Sequence, residues 1–339
     1  MKTNSSIIQL LHALQRMPAL TDLHLKDSIP DDSEGPATYP VVDLPCLRVL
    51  RIASGVGALT TILRHITIPH SALLNLTCRE NQSTQIDFSN FLSVLATKFL
   101  SSLVIRRLGL QVLEFTGTGL EFSLWTTAVI QDCLLSSQVS RPQLRLTLTW
   151  PSPHPRNHVK ALTCAFDAMS LPFLTQLQIS TFLYIDSRTW VKTFGKLPLL
   201  ERVCVQGGYA PRSFLQALIY KAKGAKKSKT AYCNVSFPKL RHIELEGTDF
   251  FETGTISVEM LLDCLMERCE RNAEVWVLRL DNCYYISSNE VERLNEIVVD
   301  VIWDGIEQTL EEEEEGEYSD GNIITNDNDG FSSSSEELW

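Results

Sequence analysis

Apolar residues recur along this chain in one phrase, Pro-x-Leu-x-x-Leu-x-Leu. Pro238, Leu240, Ile243 and Leu245 carry one copy, and Pro18, Leu20, Leu23 and Leu25 another. Three more start at Pro45, Pro172 and Pro198, ending on Ile52, Ile179 and Val205. The last two apolar positions of each copy alternate with polar ones, the period of two that marks a half-buried strand. Weaker forms lie at 72–78 (ALLNLTC), 110–115 (LQVLEF), 142–148 (PQLRLTL) and 275–280 (VWVLRL).

Between these strands the apolar spacing switches to three and four, which predicts helices. Ile7, Leu11 and Leu14 form one stripe, Leu59, Ile62, Leu63 and Ile66 a second, and Phe88, Phe91, Leu92, Leu95 and Phe99 a third. Val159, Leu162 and Phe166 continue the series, followed by Phe214, Leu215, Leu218 and Ile219 behind Pro211, and by Leu261, Leu262, Leu265 and Met266. A last helix is expected from 288 to about 302, opened by Ser287 and Glu290 at capping-box spacing, with Val291, Leu294, Val298 and Val301 on its apolar face. Strand and helix are expected to alternate throughout.

The step between prolines is 27 residues from Pro18 to Pro45 and 26 from Pro172 to Pro198. It lengthens to 40 from Pro198 to Pro238, where a lysine-rich stretch intervenes. A period in the twenties is that of leucine-rich repeats. One such unit cannot bury its inner face alone, so neighbours stack. The expected fold is therefore an α/β leucine-rich-repeat solenoid over residues 1–305, a horseshoe with a parallel sheet on its concave face and helices on its convex face. Between 53 and 171 the phrase weakens, and the regularity of the stack is left open there.

Charge divides the chain further. Its 41 acidic residues exceed its 30 basic ones, and eleven of the acidic ones lie between Glu311 and Glu337 with no Lys or Arg among them. The body before them is formally neutral, a poor match for nucleic acid, whose affinity comes from neutralised phosphates. Residues 306–339 read as a disordered acidic tail. Lys221, Lys223, Lys226, Lys227 and Lys229 read as a loop insertion near 221–233.

The best apolar stretch, 91–105, is shorter than the roughly 18 residues a membrane span needs and is broken by Lys98. Nine cysteines without a Cys-x-x-Cys pair suggest free thiols in a reducing compartment, so the cytoplasm or nucleus is expected. No G-x-S-x-G, G-x-x-x-x-G-K-[ST] or H-E-x-x-H motif is present, and Gly117-Thr118-Gly119 lacks the third glycine of a dinucleotide fingerprint. His154 and His158 are four apart, yet the prolines around the first favour a solvated loop (PSPHPRNH) over a metal site. The chain is expected to be no enzyme and to use no cofactor or metal.

The Leu-Pro pairs at Leu44-Pro45, Leu171-Pro172 and Leu197-Pro198, with the ending LRLDNCYYISSNEVERLNEIVVDVIWDG at 278–305, give the chain a family likeness. It resembles the leucine-rich-repeat region of fungal F-box proteins of the mushroom type. The resemblance implies a substrate receptor that holds a target protein for ubiquitin transfer. No F-box, which would open near an LP-x-E phrase, is visible in this chain, so contact with a ligase adaptor would need one upstream. The alternative is a stand-alone leucine-rich-repeat scaffold or regulatory interaction protein with no ubiquitin link.

A partner is expected on the concave face or on the loop edge just past the strands, where sequence can vary without disturbing the stack. Trp150, Tyr184, Tyr209, Phe250, Phe251, Tyr284 and Tyr285 recur on that edge. The outward strand positions include Asp22, His24, Gln176, Gln178, His242, Glu244 and Arg279. Their mixed charges suit a protein rather than a polyanion or a membrane.

Overall fold

The structure is a computed structural model, and it describes residues 7–27, 39–80, 87–100, 108–115, 118–126, 141–152, 155–180, 185–220, 235–251 and 256–307. The lysine-rich segment 221–233, Tyr184, His154 and residues 308–339 lie outside them. By internal packing the chain divides into Met1–Gln308 and Thr309–Trp339.

Eight α-helices and thirteen strands make a mixed α/β fold among the described residues. The helices are α1 (Ile7–Gln15), α2 (Val56–His65), α3 (Ser89–Leu95), α4 (Pro155–Met169), α5 (Ser187–Thr193), α6 (Ala210–Leu218), α7 (Val258–Glu270) and α8 (Ser288–Asn295). Eleven strands share one sheet. In chain order they are β1 (Asp22–Lys26), β3 (Val49–Gly55), β5 (Leu73–Arg79), β6 (Leu108–Phe115), β7 (Gly119–Thr126), β8 (Leu144–Thr149), β9 (Leu174–Ser180), β10 (Arg202–Gln206), β11 (His242–Glu246), β12 (Val277–Asp281) and β13 (Asp300–Trp303). Two short strands, β2 (Val42–Asp43) and β4 (Ile66–Thr67), pair separately.

The five strong phrases become β1, β3, β9, β10 and β11, and the four weak ones β5, β6, β8 and β12. The spatial order is β1-β3-β5-β8-β7-β6-β9-β10-β11-β12-β13. From β9 onward, chain neighbours are spatial neighbours, all parallel and in one register, so that Gln176, Arg202, His242, Val277 and Asp300 lie side by side. Asp22, Val49 and Leu73 do the same at the other end.

Two expectations need correction. Alternation fails in the middle, where β6 and β7 form an antiparallel hairpin, β7 pairs antiparallel with β8, and β8 lies beside β5. The chain crosses three places in the sheet and returns, which is where the repeat phrase is missing. Second, the last helix stops at Asn295 rather than near 302, and Asp300–Trp303 is strand β13. Ile297, Val298, Val299, Val301 and Ile302 are β-branched, and that crowding favours an extended chain. Smaller shifts are that Ile66 starts β4 rather than ending α2, and that α3 runs into a π-helical turn at Ala96–Leu100.

A single core joins the helices to the inward strand residues, among them Leu50, Ile52, Leu146, Leu148, Leu177, Ile179, Val203, Val205, Ile243, Leu245, Leu278 and Leu280. The alternate, outward residues take no part in it. Full burial of one Leu or Ile side chain contributes about 2 kcal/mol.

Helix starts are fixed by side-chain acceptors. Asp186 accepts the Thr189 N–H at 2.7 Å ahead of α5, Ser257 accepts the Met260 N–H at 3.2 Å ahead of α7, and Glu290 accepts the Ser287 N–H at 2.8 Å at α8. Asp186→Ala is expected to cost about 1 kcal/mol, seen as a lower urea midpoint with an unchanged slope.

Candidate functional site

The sheet's outward face is built by period two alone. Where Ile243 and Leu245 point into the core, His242, Glu244 and Glu246 point away, and the common register turns such residues into rows. The middle row starts at His24 beside Arg51, passes Gln111 beside Gln178, and ends with Glu244 beside Arg279, which pairs with Ile302. Gln111 Nε2 donates to Gln178 Oε1 at 3.1 Å, tying β6 to β9 across the row.

Over β10–β13 the face sinks into a depression of about 290 Å³ lined by Arg202, His242, Glu244, Arg279, Asp300 and Ile302. Arg202 Nη2 donates to Glu244 Oε2 at 2.6 Å, and Arg279 Nε donates to Asp281 Oδ2 at 2.5 Å while lying 4.0 Å from Glu244 Oε1. That hydrogen bond raises the Arg279 guanidinium's pKa above its ordinary value. Burial, then the Arg202 charge, lowers the His242 pKa, so its ring favours the neutral form. Burial, then Glu244 and Asp281, pushes the Glu246 carboxyl up. Cys204, buried in the same row between Gln178 and Glu244, has its thiol pushed well up by burial first, so it is no thiolate nucleophile.

The loop edge past the strands starts with one repeated device. Asp27, Gly207, Gly247, Asn282 and Gly305 all have positive φ, between 48° and 93°, and all stand at the same register past their strands. Gly, Asn and Asp are the residues that tolerate this left-handed turn. The turn carries the chain off the sheet edge after β1, β10, β11, β12 and β13.

The expected aromatic edge splits. Tyr209 and Phe251 are exposed, and Phe251 stacks on half-buried Tyr285 at 4.8 Å between ring centroids, with Tyr284 beside it. Phe250 and Trp150 instead turn inward and are buried. Trp150 packs edge-on against His158 at 4.7 Å. His158 itself departs from the expected solvated loop. It is buried in the first turn of α4, a helix that opens with Pro155 at a position where proline fits, and its Nε2 lies 3.6 Å from Glu114 Oε1. Of the two outward charges named on β11, His242 is exposed and Glu244 is nearly covered by its arginines.

Sequence reasoning missed Trp276, Val299 and Ile302. Trp276 is half-exposed with the Arg241 guanidinium 4.9 Å from its ring, and Val299 is 84% exposed beside it. For Val299 and Ile302 the signal was the β-branched run itself, which places them at a sheet end rather than on a helix.

Among the described residues there is no cluster of metal-ligating side chains, and no helix is long and apolar enough to cross a membrane. Comparison with models of protein families, with curated proteins and with solved structures returned no match.

Proposed function

We propose that the chain is a leucine-rich-repeat module that binds a target protein on the outward face of its sheet. The observation that carries this is the outward face, eleven strands wide, whose rows of mixed charge and amide stand clear of the core. Adjacent strands are about 4.8 Å apart, so the face extends over some tens of ångströms, the scale of a protein rather than a small ligand.

The repeat reading is supported by the recurring left-handed exit and by register steps of 27 residues from Asp22 to Val49 and 24 from Val49 to Leu73. Cys283 adds to it. The thiol stands three residues after Leu280, where a leucine-rich repeat places Asn or Cys, and donates to the Leu245 carbonyl of the preceding repeat at 3.4 Å. Such a bond ties the loop after β12 to the neighbouring strand β11.

By its resemblance, the module is the substrate-recognition part of an F-box ubiquitin-ligase receptor. The competing reading is a scaffold with no ubiquitin link. The full chain, tagged and isolated from cells, should carry a target that is lost with Ile302→Lys plus Gln178→Lys on the outward face and kept with Asp263→Lys on α7. A ligase adaptor in the same isolate selects the receptor, and a target without an adaptor selects the scaffold. A target kept by the outward variants and lost with Asp263→Lys overturns the reading.

A further inference from the structure

The outward face is not uniform in charge along the sheet. Over β1, β3, β5, β8 and β7 it carries Lys26, Arg51, Arg79 and Arg145 against Asp22 and Glu121, with Asp27 at the strand exit beside Arg79. Over β10–β13 the sign reverses, with Glu244, Glu246, Asp281 and Asp300 against Arg202 and Arg279. Both of these arginines are already engaged by Glu244 and Asp281. Glu246 and Asp300 form no ion pair among the described residues.

Apolar surface lies beside Asp300, one strand and two strands from Glu246. Ile302 is 41% exposed and Val277 half-buried, and both line the depression with Asp300, while buried Glu244 there is held by Arg202 and Arg279. Apolar side chains next to an unpaired carboxylate suit a side chain with an aliphatic stem and a cationic head. Lysine and arginine have that form. An acidic or neutral segment would leave Glu246 and Asp300 covered without a cation, and removing an unpaired charge from water is costly.

We infer that the face of β10–β13 docks a basic segment of the target protein, its Lys or Arg stems lying on Val277 and Ile302 and its cations at Asp300 and Glu246. This rests on the outward face being the docking surface. The raised pKa of the Glu246 carboxyl, from burial first and then from Glu244 and Asp281, agrees with it, since such a carboxylate gains when a cation arrives. The basic half of the face then favours the placement of such a segment over β10–β13 rather than over β1–β8, because like charges repel it there.

The test uses the full chain and two fluorescein-labelled peptides, one alternating Lys and Val, the other Glu and Val, titrated by fluorescence anisotropy. The Lys peptide should bind and the Glu peptide should not, and added salt should weaken the complex because exposed charges are screened. Glu246→Gln plus Asp300→Asn should weaken Lys-peptide binding about tenfold. Arg51→Gln, in the basic half, should not weaken it. Equal binding of both peptides overturns the inference. So does an affinity unchanged in the Glu246→Gln/Asp300→Asn variant, which would place the binding on the acidic residues 311–337. Sedimentation showing a dimer broken by Asp300→Asn would reassign the face to a second copy of this chain. If the double variant has no effect while Ile302→Lys with Gln178→Lys still releases the target, the charge inference fails and the docking face stands.

Discussion

Trp190→Ala is expected to lower the stability of the folded body by about 4 kcal/mol, the middle of the range for emptying a large aromatic from a core. Trp190 is fully buried on α5 and contacts Phe194 at 5.2 Å and Phe214 at 5.1 Å. Phe194 continues to Phe166 at 4.6 Å, and Phe214 to Phe237 at 5.7 Å. The five rings link α4, α5, α6 and the loop before β11, so the cavity left by alanine would sit where successive repeats meet. The indole Nε1 also donates to Ser213 Oγ at 3.1 Å, a buried bond that alanine removes. Trp190→Phe keeps most of the volume and should cost less than half as much. A urea midpoint for Trp190→Ala within error of the parent would mean that the aromatic line does not join the repeats.

Arg268→Ala is the second large effect, at about 3 kcal/mol. Arg268 lies on α7 at 1% exposure, with no carboxylate paired to it among the described residues. Its Nη1 donates to the Ser236 carbonyl and its Nη2 to the Phe237 carbonyl, each at 3.0 Å. Burial, before any neighbouring charge, lowers its pKa to about 10, so the group is still charged at neutral pH. A buried cation is retained here because it answers two backbone carbonyls that turn inward, Phe237 having a φ of 58°. Alanine would leave the buried Ser236 carbonyl without its donor and the Phe237 carbonyl with the Leu240 N–H alone, at 3.2 Å. Arg268→Lys offers a point charge in place of a planar fork and should restore part of the loss, not all of it. Since Phe237 belongs both to the aromatic line and to this clamp, Trp190→Ala and Arg268→Ala should be non-additive when combined. Strict additivity in the urea midpoints would separate the two.

How far the fold could be read in advance follows from which forces were local. A strand that buries one face and sits among chain neighbours shows its period in its own residues, and β1, β3, β9, β10 and β11 were legible for that reason. The left-handed exits were also written locally, as Asp27, Gly207, Gly247, Asn282 and Gly305, but their common register emerges only when strands are laid side by side. The hairpin of β6 and β7 was not legible. Leu120, Phe122 and Leu124 alternate as any strand does, and nothing local states that they run antiparallel between β6 and β8. At 297–302 a helical spacing and a β-branched run competed, and pairing with β12 favoured the strand.

The candidate site was legible in part. Outward positions on β9, β11 and β12 follow from the period, and they fall in the rows expected of them. The edge aromatics do not share one fate, because a ring's direction depends on what the neighbouring repeat leaves empty. Trp150 found His158, while Phe251 found Tyr285 and stayed half in water. The charge reversal along the face needed the register, since Arg51 and Glu246 are far apart in sequence and only the sheet puts them on one surface.

The central claim, that the outward face of the sheet is the surface that holds a target, is tested most directly by photo-cross-linking. A benzoylphenylalanine placed at Gln178 and, separately, at His24 reports contacts on the outward face, and one placed at Asp263 reports contacts on α7. The account predicts the same target cross-linked through Gln178, with none through Asp263. Cross-linking of that target through Asp263 with none through either outward position would contradict it.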